Sequence, residues 1–219
     1  MPDTDYEIKA ITDSLSGGTN QELRLTYNVS QAVAQVEASG AELARAGRRF
    51  TLGNSAAITG IANVTALPTT AAQWVLWNLS NSVSLFIEEV GVYLTSGTPG
   101  AGGILLAAVT PAPATAIVAP TYPGTAIANV NPASSRISVA VVKASATLAV
   151  APCWYPIANN DDSNVGAFPG SGTLENRNVN GRLVIPPRCG LALAVLGLAG
   201  STPLFAPFAS WYEVTVPNE

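Results

Sequence analysis

From Arg48 onward, nine short segments are apolar or alternate apolar and polar residues, and Gly, Pro, Asn or Ser bounds each of them. No helical periodicity lies between them, whereas parallel strands would need crossover helices. We therefore expect an all-β fold, an antiparallel β-sandwich or barrel. The nine predicted strands are RRFTLG, QWVLWNLS, SLFIEEVGVYL, GILLAAV, SRISVAVV, SATLAVAP, GRLVIPP, GLALAVLGL and ASWYEVTV.

Three stretches between the predicted strands have the composition of turns or loops. The sequence LSNSVS is expected to reverse the chain between Leu79 and Leu85. Residues 110–135 contain five prolines and no charge, which predicts an extended surface loop or an excursion of the chain, because proline cannot donate to a central ladder. Residues 158–181 form the longest polar stretch, and long loops of this kind are often binding surfaces.

The first 47 residues differ from the rest and are predicted to form an N-terminal arm. Residues 1–50 hold seven of the fourteen acidic and five of the ten basic residues. The arm contains the one good helix candidate, at about residues 30–46, with Ser30 as its N-cap and Gly47 as its stop. Residues 48–219 are predicted to form the β-domain.

The predicted helix carries a heptad-like seam, with spacings of four and three residues. Its apolar members are Val29, Val33, Val36 and Leu43, with Gly40 at one core position. Two interpretations follow from this pattern. The helix packs against its own domain, or it packs around an oligomer axis, in which case the four apolar residues are docking contacts.

Two neighbouring carboxylates, Glu88 and Glu89, lie inside one of the most apolar stretches. A general acid/base pair needs both groups to converge on one substrate, whereas neighbouring strand residues point to opposite faces. A β-bulge at this point is the alternative, and it would let both residues face outward. In either case the pair is not expected to be catalytic, and we predict no catalytic residue.

Other chemistry is poorly supported by the sequence. The chain has no histidine, which excludes Ser-His-Asp and Cys-His catalysis, and it has no P-loop or GxSxG motif. A carboxylate-based hydrolase remains a minor possibility. Asp161 and Asp162 have the oxygen ligands that Ca²⁺ prefers, although a solvated turn explains them as well. We expect no metal and no cofactor.

Charge and cysteine content restrict the partners and the compartment. The net charge is −4 and no basic stripe is present, so nucleic acid is not an expected partner. The sequence predicts no signal peptide and no membrane span, because Gly and Pro interrupt the apolar run after Arg188. Cys153 and Cys189 are expected to be free, buried thiols, with one disulfide as the alternative.

The aromatic residues point mainly to core packing. Trp74 and Trp77 are three residues apart, so on one strand they would face opposite ways. In the last predicted strands, Leu191 and Leu193 would share one face and Ala192 the other. If any aromatic platform for a ligand exists, Trp154 and Tyr155 in the CWYP segment are the candidates.

The order of these features resembles that of a known class of proteins. GRLVIPPRCGLALAVLG is followed by FASWYEVTVPNE, after a helical arm and a Gly/Pro-rich β region. This organisation is similar to jelly-roll structural proteins of tailed-phage particles, such as head decoration (cement) or fibre-like proteins. The resemblance implies a jelly-roll-like sandwich, a homotrimer, docking on major capsid or other virion proteins, location in the virion after synthesis in host cytoplasm, and no enzyme activity.

Composition favours self-association independently of the resemblance. Only 11% of the residues are charged and the mean hydropathy is +0.31, so part of the apolar surface is expected to be buried between subunits. The leading hypothesis is a structural virion protein. The alternative is a carbohydrate-binding β-sandwich used in receptor recognition, which would use Trp154, Tyr155 and the polar loop at 158–181.

Overall fold

Two antiparallel β-sheets form the body of the protein. The computed structural model describes residues 7–8, 23–24, 39–54, 60–98, 100–110, 118–148, 152–160, 175–197 and 201–215. In chain order the elements are β1 (Glu7–Ile8), β2 (Leu23–Arg24), α1 (Ser39–Arg45), β3 (Arg49–Asn54), β4 (Ile61–Ala62), β5 (Ala71–Asn78), β6 (Val83–Thr98), β7 (Gly102–Val109), β8 (Thr125–Asn129), β9 (Ala140–Thr147), β10 (Trp154–Asn160), β11 (Glu175–Ile185), β12 (Gly190–Gly197) and β13 (Ser201–Thr215).

The strand order is that of a jelly roll. One sheet has five strands in the order β10-β7-β12-β5-β9. The other has six, in the order β11-β6-β13-β3-β8 with β4 also paired to β13. Four antiparallel pairs are nested in sequence, from β7–β10 through β6–β11 and β5–β12 to β3–β13. A long hairpin wound around itself produces this nesting. The predicted all-β, jelly-roll-like sandwich with one short helix near the N-terminus is therefore confirmed.

An extra pair of strands interrupts the innermost pair, β7–β10, and widens both sheets on the same side. β8 pairs with β3 and β9 pairs with β5, so each inserted strand becomes the edge of one sheet. The extended surface loop or excursion expected over residues 110–135 is corrected in part, because β8 at Thr125–Asn129 lies within it. The uncharged sequence of β8, TAIAN, has weak strand propensity, and its pairing with β3 decides the outcome.

Side chains from both sheets fill the space between them. Trp74 and Leu76 of β5 meet Leu85 and Ile87 of β6, and all four are fully buried. The ring of Phe50 stacks on that of Trp211 at a centroid distance of 6.3 Å, which joins β3 to β13. On β12, the alternation predicted from the sequence is confirmed, because Leu191, Leu193 and Val195 all belong to this core.

The five-stranded sheet also buries its outer face. Val75 and Trp77 alternate with the core residues of β5, and together with Ala107 and Ala192 they form a second apolar cluster. Trp74 and Trp77 therefore do face opposite ways, as predicted. The Trp77 ring lies directly over Gly190, where an added Cβ would come within 2.7 Å of Trp77 Cζ3. This sheet is apolar on both faces, which explains the near-continuous hydrophobic runs in its strands.

The turn after β5 is held by one buried side chain. Asn78 Nδ2 donates to the carbonyls of Val83 at 2.7 Å, Pro186 at 3.0 Å and Ile185 at 3.1 Å. Its Oδ1 accepts from the Ser80 amide at 3.0 Å. The chain reversal predicted at LSNSVS is present. Asn78 also ties the start of β6 to the end of β11, and so links the two sheets at this end.

Several predicted strand boundaries differ from the observed ones. SRISVAVV and SATLAVAP contribute to a single strand, β9, which ends at Thr147. The polar loop predicted at 158–181 is shorter, since β10 extends to Asn160 and β11 begins at Glu175. β10 is an edge strand with a register shift after Pro156, and an edge is where a sheet tolerates proline.

The described part of the predicted helix is α1, at Ser39–Arg45. It ends as predicted at Gly47, which has φ of 66°. The Gly47 amide donates to the Ala44 carbonyl and the Arg48 amide to the Leu43 carbonyl, which is the Schellman arrangement. Ser30 and residues 30–38 of the predicted helix lie outside the described residues.

Candidate functional site

A β-bulge places Glu88 and Glu89 on the same side of the six-stranded sheet. Across the ladder, Ser210 lies opposite Glu89 and Trp211 lies opposite Ile87, so Glu88 has no register partner on β13. Buried residues accordingly change parity along β6, from Leu85 and Ile87 to Val90 and Val92. The expectation that the two carboxylates face opposite ways is wrong, and the bulge alternative is confirmed. Both point away from the core.

The Glu88 carboxylate contacts two neighbours, one with each oxygen. Its Oε2 lies 2.7 Å from Arg49 Nη2, and its Oε1 accepts a short hydrogen bond from the Tyr212 hydroxyl. Arg49 also lies over the Tyr212 ring, with its guanidinium carbon 5.7 Å from the ring centroid. The three side chains come from β3, β6 and β13, and together we call them the Glu88 cluster. The cluster fastens three adjacent strands on the outer face of their sheet.

The Glu88 cluster keeps Tyr212 protonated. Burial, followed by the hydrogen bond to Glu88 and the negative charge of that group, raises the pKa of Tyr212 to about 12, although the charge of Arg49 acts in the opposite direction. A tyrosine with this pKa is a hydrogen-bond donor throughout the physiological range, not a base. The cluster is therefore suited to holding strands and a neighbouring element together.

Helix α1 lies against the Glu88 cluster. A Cβ at Gly40 would overlap the Tyr212 hydroxyl and would lie 3.8 Å from Glu88 Oε1. Next to this contact is a groove of about 490 Å³, lined by Gly40, Leu43, Phe86, Glu88, Asn180, Gly181, Tyr212 and Val214. Leu43 thus faces the sheet of its own chain. Of the two interpretations of the helix, this placement agrees with packing on its own domain.

The remaining predicted docking residues of the arm, Val29, Val33 and Val36, lie outside the described residues. Their role at an oligomer axis stays a prediction. For Leu43, the side chain is half-buried and lines the groove beside Tyr212. A partner that used Leu43 would have to enter this groove.

A second carboxylate is buried at one end of the sandwich, and the sequence did not single it out. Glu213 Oε1 accepts from Ser138 Oγ at 2.5 Å, from the Val139 amide at 2.9 Å and from Trp211 Nε1 at 3.4 Å. Burial raises the pKa of Glu213, while these hydrogen bonds act to lower it. β13 and the residues leading into β9 belong to different sheets, so Glu213 links the sheets. The contact joins positions 75 residues apart, and no local pattern reveals it.

A pocket of about 200 Å³ opens beside Glu213, and we call it the end pocket. Its charged residues are Arg48, Arg136 and Glu213. Ile137 lies at its rim with 89% of its surface exposed. The Asn129 side chain shapes this end by donating to the carbonyls of Gly47 at 2.9 Å and Arg136 at 3.3 Å. The end pocket thus combines two guanidinium groups, one largely satisfied carboxylate and one exposed apolar side chain.

The two residues proposed as an aromatic platform are both partly buried. Trp154 Nε1 donates to the Pro68 carbonyl at 2.8 Å, and the ring packs against the outer apolar cluster. Tyr155 packs against the core between the sheets, and burial raises the pKa of its hydroxyl. Because neighbouring residues of β10 point to opposite faces, the two rings do not form one platform.

The cysteines are free thiols, as predicted. Cys189 is half-buried and burial raises its pKa, but Cys153 is exposed, so the prediction that both are buried is wrong. Cys153 immediately precedes β10, which is an edge strand of its sheet in the described part of the chain. Among the described residues, no group of three His, Cys, Asp or Glu side chains is placed to hold a metal ion. Asp161 and Asp162 lie outside those residues.

No helix in the described ranges is long and apolar enough to cross a membrane. Comparison with known proteins gives no relative, because no protein-family profile, no curated protein and no solved structure matches the chain.

Proposed function

We propose that the chain is a structural protein of a virus particle, a decoration or fibre-like component that self-associates as a homotrimer and docks on a larger protein shell. The observation that carries the proposal is exposed apolar surface on a chain with few charges. Val118 and Ile137 are 77% and 89% exposed, and they flank the inserted strands β8 and β9. Single exposed apolar side chains are common on proteins, so it is their combination with only 11% charged residues that supports contact with other molecules.

The use of the carboxylates supports a structural role. Glu88 is engaged by Arg49 and Tyr212, and Glu213 by Ser138, Val139 and Trp211. Each carboxylate joins separate strands, and the two belong to different clusters. General acid/base chemistry needs groups that converge on a substrate within hydrogen-bond reach. These two carboxylates fasten the sandwich instead.

The arm would provide the link to neighbouring molecules. It enters the sandwich at α1, whose C-terminal end is tied down by the Asn131 side chain, which donates to the Arg45 carbonyl at 2.9 Å. The sandwich would then project from the shell as a rigid unit. A jelly-roll fold hosts many functions, so the fold alone does not carry this proposal.

Electron cryo-microscopy of particles from the source of the chain tests the proposal directly. We expect density with the dimensions of the two-sheet sandwich on the outside of the shell, in groups of three. Mass spectrometry of the same purified particles should detect the chain in stoichiometric amounts. Particles that are complete and lack the chain would exclude a virion role.

A pair of truncations tests the arm separately. Removal of residues 1–38 keeps α1 and its contact with Tyr212, whereas removal of residues 1–47 also exposes the Glu88 cluster. We expect both truncated chains to fold and to lose binding to particles, with the longer deletion less stable to heat. If the chain without residues 1–38 binds particles as the full chain does, residues 1–38 are not the docking element, and if the chain without residues 1–47 also does, the arm as a whole is not.

A further inference from the structure

The acidic residues of the chain are concentrated at its beginning. Residues 1–22 contain five acids and one base, a net charge of −4, which equals the net charge of the whole chain. Residues 23–219 therefore carry nine acids and nine bases and are neutral overall. A neutral sandwich with a local basic surface and an acidic segment is electrostatically complementary within one chain or between copies.

The basic surface is the end pocket. Arg48 and Arg136 line it together, and in the described part of the chain neither guanidinium forms an ion pair with a carboxylate. Glu213 is the acid in the pocket, and its Oε1 is already taken by three donors. Among the residues that the structure describes, the pocket thus has two guanidinium groups without an ion pair and one carboxylate, with Ile137 exposed at its rim.

In the acidic segment at the start of the chain, acidic residues alternate with other residues, a spacing that could pair with two neighbouring arginines. In MPDTDYEIK, Asp3, Asp5 and Glu7 are two residues apart and are separated by Thr4 and Tyr6. Residues two apart share a face wherever a segment is extended, and this spacing would then let Asp3 and Asp5 contact one surface together. Glu7–Ile8 is indeed a strand, and Glu7 lies opposite Arg24 in the β1–β2 pair. Asp3 and Asp5 precede this strand in the same alternating pattern of the sequence.

From this complementarity we infer that the end pocket of one copy binds the acidic first residues of a second copy, with Asp3 and Asp5 against Arg48 and Arg136. Ile137 supplies apolar contact for residues between the acids. The inference depends on the proposed self-association and specifies its contact. The arm of one copy would thus bind the sandwich of its neighbour at the end pocket.

Charge reversal on either side tests the contact in the full-length chain. The pocket variant is Arg48→Asp with Arg136→Asp, and the arm variant is Asp3→Arg with Asp5→Arg. Arg182→Asp is the matched control, since Arg182 is an exposed arginine on β11, at the opposite edge of the sheet from β8. Circular dichroism and thermal melting verify that each variant folds. Sedimentation velocity then measures mass as a function of concentration.

We expect wild type and the control to self-associate at low salt. Each reversed variant should associate about tenfold or more weakly, because like charges then face one another. Association of wild type should also weaken as NaCl is raised from about 0.1 M to about 1 M, since the screening length falls from about 10 Å to about 3 Å.

Mixing the two reversed variants distinguishes binding between copies from binding within one chain. The basic arm of the arm variant meets the acidic pocket of the pocket variant, so the equimolar mixture should regain association that neither variant has alone. If each variant is monomeric and the mixture stays monomeric, the arm does not join copies through this pocket and the inference is overturned.

The other outcomes separate this inference from the proposed function. If the reversed variants self-associate as strongly as wild type, the end pocket is not the contact, and self-association is unaffected. If wild type is a 22.4 kDa monomer at every concentration, the inference fails. The virion role then depends on whether cryo-microscopy finds the chain on particles.

Discussion

Gly40 of α1 and Tyr212 of β13 approach so closely that a methyl group on Gly40 would overlap the Tyr212 hydroxyl. That hydroxyl is fixed by its hydrogen bond to Glu88. The contact joins the end of the arm to the outer face of the six-stranded sheet, and it can be tested together with the contacts of the sandwich around it.

Gly40→Ala should weaken the attachment of α1 even though alanine favours a helix by about 1 kcal/mol over glycine. The added methyl group must displace the Tyr212 hydroxyl, and overpacking of this kind costs about 1–3 kcal/mol. Thermal melting and hydrogen exchange of the α1 amides measure the effect. We expect a lower melting temperature and faster exchange in α1.

Tyr212→Phe is the second substitution of a double-mutant cycle whose first substitution is Gly40→Ala. Without the hydroxyl, the nearest remaining ring atom, Cζ, lies 3.4 Å from the added Cβ, which is an ordinary contact. The double variant should therefore be more stable than the two single effects predict, by about 1 kcal/mol or more. Simple additivity would show that Gly40 is not in contact with the hydroxyl in solution.

The raised pKa of Tyr212 also predicts how the stability of the protein changes at alkaline pH. Its pKa is raised from about 10 to about 12 by folding, so its stabilising contribution is complete below pH 10 and is lost as pH rises toward 12. Burial raises the pKa of Tyr122 to about 12 as well, so its ionisation adds to the same loss of stability. Urea unfolding between pH 9 and pH 12 should show a smaller decrease for Tyr212→Phe than for wild type. Equal decreases would contradict the assignment to Tyr212.

The free energy of unfolding of Glu213→Gln, compared with that of wild type, should increase as pH rises. Folding raises the pKa of Glu213, so its contribution is present below the unfolded pKa of about 4.3 and is lost as pH rises through the folded pKa. Glutamine keeps an acceptor for the Val139 amide and has no charge to desolvate. Unfolding free energies from pH 4 to pH 8 measure the difference between the two proteins.

Glu213→Ala provides the contrast for this position. It removes the acceptor of Ser138, Val139 and Trp211, and unsatisfied buried donors cost about 1–3 kcal/mol. We expect this variant to be less stable than wild type at every pH. If alanine and glutamine behave alike, the hydrogen bonds of Glu213 do not link the sheets.

Gly190→Ala should destabilise the sandwich through its contact with Trp77. The new Cβ would overlap the six-membered ring of a fully buried tryptophan, whose position is fixed between β9 and β12. We expect a loss of about 1–3 kcal/mol. Gly53→Ala is the matched control, because its Cβ would meet only the Ala126 carbonyl at 3.6 Å. Chemical denaturation of both variants should give a large loss for the first and a small change for the second.

The strands with strong hydrophobic patterns were predictable from the sequence, and the reason is physical. In β12, Leu191 and Leu193 alternate with small residues because one face fills the core and the other lies under a second apolar cluster. The bulge in β6 also has a signal in the sequence, since large residues change parity between Ile87 and Val90. Two adjacent glutamates at the point of that change are the sign to look for.

Strands held mainly by their neighbours were not predictable. β8 has little strand propensity of its own and forms because β3 offers a ladder to complete. β10 contains Pro156, which argues against a strand unless the strand is known to be an edge. The contacts of Glu88 with Tyr212, and of Glu213 with Ser138, join residues far apart in sequence. They become visible only once the sheet order is known.

The nested strand order has a consequence for how the chain acquires its structure during synthesis. β3 cannot complete its sheet until β13 is available, and the Thr51 hydroxyl bonds to the Ala209 carbonyl, 158 residues further along. Nearly the whole polypeptide must therefore leave the ribosome before the outermost pair can close. Folds dominated by such distant pairings fold slowly, in about milliseconds to seconds. Until then, the apolar faces of the early strands are open to chaperones and to other nascent chains.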